Sequence, residues 1–229
     1  LAEEVGVNKE DIIDFGLYLT IADKPELIGI DNEFISSPRL DNLTSCSAFV
    51  DGLINGYREE GINMIVLYDN EEIGSRSKQG ADSNLIELII RNILAGLGQT
   101  ENQYLQTIAH SMYLSVDVGH AMHPNRPEKC DPTSKPALGN GLVIKTHANQ
   151  LYASDSEMSG AIRQMLDKWN VPRQNGISRS DIPGGSTLGP ILSKVLPMKG
   201  CDLGVPLLAM HSARELGAVA DYEGLKTCI

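Results

Sequence analysis

A chain of 229 residues, 41% hydrophobic and 5% aromatic, is long enough for one α/β domain or a domain plus a fragment of another, with a core of Leu, Ile, Val, Met and Ala. Its net charge of −11 does not favour nucleic acid or anionic membrane as partners gathered by bulk charge. The acidic start LAEEVGVNKEDIID is not a secretory signal, and no apolar run approaches the roughly 20 residues of a membrane span, so a cytoplasmic protein is expected.

In chain order, Asp11 to Ile21 reads as a strand belonging to something ahead of the main domain, with a boundary near Glu26–Asp31. Cys46, Phe49, Val50, Leu53, Ile54 and Tyr57 recur at helical spacing. Ile62 to Tyr68 is a short apolar run of the kind found in buried parallel strands. Leu85 to Leu97 carries a second helical stripe, with Asp82 or Ser83 as N-cap and Gly98 as stop. Met112–Val118 and Gly141–Thr146 read as strands around a long Pro- and Lys-rich loop, Pro124–Asn140. Met158 to Trp169 is a third stripe, capped by Asp155 or Ser156. Gly176–Ser178 is a weaker strand, Thr187–Leu196 a further helix, and Leu203–Met210 a strand in which Pro206 marks a bend or an edge. Strands alternating with helices imply an α/β fold with a mostly parallel sheet covered on both faces. Cys46, Cys130, Cys201 and Cys228 form no CxxC pair and read as free thiols.

Ligands in open α/β sheets sit at the carboxyl ends of the strands. There this chain carries Glu71-Glu72, Asp117, His120 with His123, and His211, with Asp41 just before the first core helix. Carboxylates gathered at one rim repel one another unless a cation neutralises them. Mixed Asp, Glu and His donors suit zinc, manganese or cobalt, and several carboxylates per histidine suggest a metal pair, which hydrolyses amides or phosphoesters. One of the two adjacent glutamates can bind metal while the other stays free as a general base. The loop Asp181–Gly189 lacks the Gly-Lys-Ser/Thr of a phosphate loop; it is either a turn into a capped helix or a set of exposed backbone N–H groups for a substrate.

SPRLDNLTSC (Ser37–Cys46), LYDNEEIGSRSKQGADS (Leu67–Ser83), SVDVGHAMHPN (Ser115–Asn125), GLVIKTHANQLYASD (Gly141–Asp155), RSDIPGGSTLGP (Arg179–Pro190) and DLGVPLLAMHSARELGAVADY (Asp202–Tyr222) occur in the order found in one family. With these the chain resembles the aspartyl aminopeptidase and aminopeptidase I family of zinc exopeptidases. The resemblance implies a three-layer α/β/α sandwich with an inserted β-rich dimerisation domain, assembly as a homo-oligomeric dodecamer, and removal of N-terminal residues from peptide substrates by two zinc ions, or Mn2+ or Co2+ in their place. It implies that Asp41 bridges the ions, that Glu72 and His211 hold one and Asp117 the other, and that Glu71 is the general base. Lys145, His120, Gly185, Ser186 and Thr187 would line the substrate pocket. The family prefers either acidic or neutral first residues, and Lys145 and Arg214 are candidate partners for an acidic one, with a structural ion pair the equal alternative for Arg214. A non-catalytic assembly subunit and a dimetal phosphoesterase are the competing readings.

The family's early His-x-Asp motif is a departure, because no histidine precedes His110. Glu10 to Gly29 resembles the last strand of the inserted domain. Residues 1–28 are therefore expected to be the tail of that domain, and residues 29–229 an incomplete catalytic domain of a longer protein. Leu151 stands where many members have Arg, and Gly184 where many have Cys.

Overall fold

In the computed structural model, which describes residues 1–229, nine strands build two joined sheets. They are β1 (Glu26–Ile28), β2 (Phe34–Ser37), β3 (Met112–Val116), β4 (Gly119–His120), β5 (Leu142–Thr146), β6 (Arg173–Ile177), β7 (Lys199–Gly204), β8 (Pro206–Leu208) and β9 (Glu215–Ala218). The helices are α1 (Ala2–Val5), α2 (Leu40–Asn55), α3 (Leu85–Gly96), α4 (Glu101–His110), α5 (Ser156–Lys168), α6 (Leu188–Val195) and α7 (Val219–Cys228).

One sheet has the order β1-β2-β9-β8-β4 and the other β3-β7-β5-β6. They are continuous where β3 runs into β4 beside β7 running into β8. Along that seam the N–H groups of Asp117, Gly119 and Ala121 donate to the carbonyls of Leu203, Val205 and Leu207 at 3.0, 2.9 and 2.8 Å. Gly204 is required there: a Cβ at that position would stand 1.5 Å from the Asp117 carbonyl oxygen. Pro206 opens β8 at the crossing from one sheet to the other, which is the bend its missing N–H predicts.

The pairs β3–β7, β4–β8 and β5–β6 are parallel, while β1–β2, β2–β9, β8–β9 and β5–β7 are antiparallel. The α/β class stands, but the sheet is mixed rather than mostly parallel. The Ala209–Arg214 turn between β8 and β9 is too short for a crossover helix, so β9 must return antiparallel.

The central strands are buried on both faces. Leu142, Ile144, Leu203 and Leu207 meet Met158, Ile162 and Leu166 of α5 and Leu225 of α7 in one core. The α5 stripe is fixed at its start by Asp155, whose carboxylate accepts the Met158 N–H at 2.7 Å. A smaller core joins Ile86 and Leu94 of α3 to Tyr104 and Ile108 of α4 and to Leu196.

Four expectations are corrected. Residues 62–68 form no strand: a strand needs a neighbour for its N–H and C=O groups, and neither β3 nor β6, the edges of their sheet, pairs with this run. Ile62, Met64 and Leu67 remain exposed. The expected strand over Asp11–Ile21 is likewise absent, and residues 12–25 carry no helix or strand. Leu53, Ile54 and Tyr57 at the end of the α2 stripe, Leu85, Ile89 and Leu97 of the α3 stripe, and Trp169 are exposed, because no element of this chain covers them. The N-cap position of α3 is Asn84, which makes no side-chain cap bond, while the expected Ser83 hydroxyl accepts the Leu85 N–H at 3.3 Å; Asp82 is not the cap.

Candidate metal centre

Three elements converge at one rim. Arg39 adopts a left-handed backbone (φ 59°), and Asp41 and Asn42 depart from helical geometry before α2 becomes regular. The Asn42 amide donates to the Val116 carbonyl at 3.2 Å, tying this start to the end of β3. Glu71 and Glu72 lie on a single 3-10 turn, Glu71–Ile73, bracketed by left-handed Asn70 (φ 61°) and Gly74 (φ 97°). This turn follows the apolar run 62–68 even though that run is not a strand. His211 lies in the turn after β8, itself left-handed at φ 67°.

The side chains of Asp41, Glu72 and His211 meet there. His211 Nε2 is 3.0 Å from Asp41 Oδ2 and 3.2 Å from Glu72 Oε2, and one ligand atom from each of the three lies within 4.8 Å of the others. Ligand bonds of about 2.0–2.1 Å arranged tetrahedrally place donor atoms roughly 3.3 Å apart. The two carboxylate–imidazole distances are close to that spacing, so the three donors are near enough to share a zinc-type ion.

The electrostatics point the same way. The Asp41 carboxyl is pushed up to about 7 by burial and then by Asp117, Glu72 and Glu215, with His211 opposing. Glu71 is pushed up to about 7 by burial, Asp117 and Glu72, against His211 and Lys145. Burial acts to lower His211, but the Glu72 and Asp41 carboxylates outweigh it and its pKa is raised. Burial first, and then the neighbouring negative charge, make Asp41 and Glu71 hold their protons, and a divalent cation relieves that directly.

Asp117 stands outside the three-residue cluster. One of its oxygens accepts the Val118 N–H at 2.8 Å, and the other is 4.0 Å from Nζ of Lys145. Lys145 is 4% exposed and lies over the Tyr152 ring at 5.4 Å. The His120 ring is held below its usual pKa by partial desolvation and then by His211 and Lys145. Gly185 and Ser186 are exposed just before α6, and Thr187 is its buried N-cap residue with no side-chain cap bond. This loop makes no hydrogen bond to the carboxylate–histidine cluster; the Thr187 N–H donates to Leu151 O at 3.4 Å.

Arg214 does not face the cluster as a free cation. Its guanidinium donates to the carbonyls of Lys24 (2.8 Å) and Ser36 (3.1 Å) and to the Glu26 carboxylate (3.4 Å), fastening β1 and β2. Of the two roles open to it, these bonds favour the structural one. Glu215 is the residue that sequence reasoning missed. It is 2% exposed and accepts the N–H of His211 at 2.6 Å and that of Asp41 at 2.8 Å. Its only signal was a charged residue heading an otherwise apolar segment.

A family model described as aminopeptidase I zinc metalloprotease (M18) matches residues 1–227. A Clostridium novyi protein described as a probable M18 family aminopeptidase 2 is 44% identical over 99% of this chain and 52% of its own length. Aspartyl aminopeptidase 4 of Saccharomyces cerevisiae is 42% identical over 97% of this chain and 48% of its own. Among solved structures, the Ape4 and Nbr1 complex contains a chain that superposes with a TM-score of 0.89 at 35% identity, covering 97% of this chain and 43% of that one. The S. cerevisiae mApe1 dodecamer superposes with a TM-score of 0.84 at 27% identity, covering 99% and 52%. The chain spans about half the length of the curated relatives it matches.

Proposed function

Since the chain belongs to the M18 aminopeptidase I family of zinc metalloproteases, we propose that it supplies catalytic machinery to a metal-dependent aminopeptidase that removes N-terminal residues from peptides. The observation that carries this reading is the meeting of Asp41, Glu72 and His211 within 4.8 Å. In this reading those three hold one zinc-type ion. Asp41 and Asp117 would supply donors for a second ion. Residues 1–28 are read as the tail of a neighbouring β-rich domain, and the whole protein as a homo-oligomer of the kind seen for the mApe1 dodecamer.

A bound ion would polarise the scissile carbonyl and lower the pKa of water. The chain's own residues would do the rest. Glu71, beside the cluster but free of it, takes a proton from the attacking water and passes it to the leaving amine. In this chain the His211 and Glu72 side chains are 60% and 56% exposed. Lys145 presents a buried ammonium on β5 near Asp117, and it would select an acidic first residue.

The test is release of N-terminal residues from a peptide panel by the full-length protein, before and after chelation. Activity is expected to vanish with the metal and return with Zn2+; a zinc-loaded protein that releases no residue from any peptide sinks the reading. The 229-residue chain by itself is expected to retain one zinc tightly and a second only weakly. Two tightly held equivalents with normal turnover would show the second donor set to be complete. In the full-length protein, Lys145→Ala is expected to lower the rate on Asp-terminated peptides more than on Leu-terminated ones, by tenfold or more for a charge pair worth about 1.5–3 kcal/mol. An unchanged ratio removes Lys145 from substrate selection.

A further inference from the structure

We propose that Glu215 is the positioning residue of the metal cluster, one buried carboxylate that sets the Asp41–His211 separation by holding both ligand-bearing backbones. The inference rests on the metal reading above. The two ligands are far apart in sequence and lie on segments of unusual conformation. Asp41 sits in a non-helical step at the head of α2. His211 adopts a left-handed φ of 67°, next but one to Ala209 at 57°, a region that non-glycine residues seldom occupy. Neither segment belongs to a regular hydrogen-bonded ladder at that point, so neither backbone N–H has a partner by default.

Glu215 supplies both partners. It occupies the first position of β9, opposite Ser37 of β2. One of its oxygens takes the His211 N–H at 2.6 Å across the turn, and the other takes the Asp41 N–H at 2.8 Å from the segment beyond β2. The result is the 3.0 Å approach of His211 Nε2 to Asp41 Oδ2. Two donors aimed at two oxygens need a carboxylate; an amide would turn one NH2 toward a backbone N–H and lose that bond. Glu215 is also 2% exposed and pairs with no Lys, Arg or His side chain. Its charge is compensated by the two N–H groups and, in this reading, by the cation held by the ligands they belong to.

Asp221 provides an internal comparison. It too is buried and accepts two backbone N–H groups, from Gly139 and Gly141 at 2.7 Å each, but neither residue is a ligand. The experiment measures the zinc dissociation constant by competition with a chromophoric chelator, and the melting temperature in EDTA, for the parent protein, Glu215→Gln and Asp221→Asn. Glu215→Gln is expected to weaken zinc binding about 10–100-fold, while Asp221→Asn lowers the melting temperature and leaves the zinc constant unchanged. An equal zinc constant in parent and Glu215→Gln overturns the inference alone, as does equal weakening in both variants. A parent that binds no zinc overturns the metal reading and this inference with it. Should Glu215→Gln fail to fold, amide exchange in the metal-free parent decides: Asp41 and His211 amides as slow as those of β7 support the clamp, and amides as fast as those of residues 12–25 overturn it.

Discussion

Glu71→Gln is expected to lower the turnover of the zinc-loaded full-length protein about 10²–10⁴-fold, the usual worth of a positioned general base, while leaving zinc content and KM close to the parent's. Glutamine matches glutamate in size and cannot accept the water's proton, so only proton transfer is removed. The geometry separates the two neighbouring glutamates. Both lie on the turn Glu71–Ile73, but the Glu72 carboxylate is 3.2 Å from His211, and Glu71 takes no part in the three-residue cluster. Burial, then Asp117 and Glu72, push the Glu71 carboxyl up to about 7, the range in which a base is both available and strong enough near neutral pH. A nearby cation would pull that value down, so the loaded protein should lose rate only on the acid side. Glu72→Gln is the contrast: it should lower zinc affinity first and activity as a consequence. Glu71→Gln turnover within several-fold of the parent, at full zinc occupancy, would remove Glu71 from proton transfer.

What the sequence made legible follows from how local each signal is. Asp155 and the Met158–Leu166 stripe specify α5 within one segment, and the helix forms where they say. The uninterrupted apolar run Leu142–Ile144 specifies a strand buried on both faces, and β5 is one. Helix α4 went unread although Thr100 and Gln103 form a reciprocal capping box; its polar ENQYLQTIAH has too weak a stripe to announce a helix by periodicity. Ile62–Tyr68 has the composition of a buried strand, but pairing is a tertiary event and no strand of this chain lies beside it.

The candidate site divides in the same way. Asp41, Glu72 and His211 were legible as acids and imidazoles at segment ends, and the family resemblance gave them roles. Their meeting depends on Glu215, whose partner Asp41 lies 174 residues away, a relation that no spacing rule records. The position of Asp117, drawn toward Lys145 rather than into the cluster, was equally out of reach, since it depends on the seam between two sheets.

Zinc should invert the pH dependence of stability. Consider the metal-free protein first. The Asp41 pKa is raised from 3.8 to about 7 and that of Glu71 from 4.5 to about 7, in both cases chiefly by burial. Between the unfolded and folded values the native state binds more protons than the unfolded chain, so unfolding free energy falls as pH rises through that window. Asp221, raised by burial, adds to the same slope. The raised His211 acts in the same direction: its contribution is full below its unfolded value and fades as pH climbs through its folded one. His120, lowered by desolvation, opposes them. The carboxyls held low by surface partners, such as Asp167 beside Arg173 and Asp181 beside Arg179, change charge below this window and do not enter. Metal-free protein in EDTA should therefore melt at a higher temperature near pH 5 than near pH 7.5.

With zinc the same carboxylates must be ionised to serve as ligands, so protons compete with the ion and its affinity grows with pH. Zinc in thousandfold excess over its dissociation constant stabilises by about 4 kcal/mol, roughly 8–16 °C for a chain of this size, and most of that gain should appear on the alkaline side. Calorimetric melting at both pH values, with EDTA and with zinc, reads the two slopes directly. A metal-free melting temperature that rises from pH 5 to pH 7.5, or a zinc shift of equal size at both, would mean that Asp41 and Glu71 do not carry the shared charge on which the centre depends.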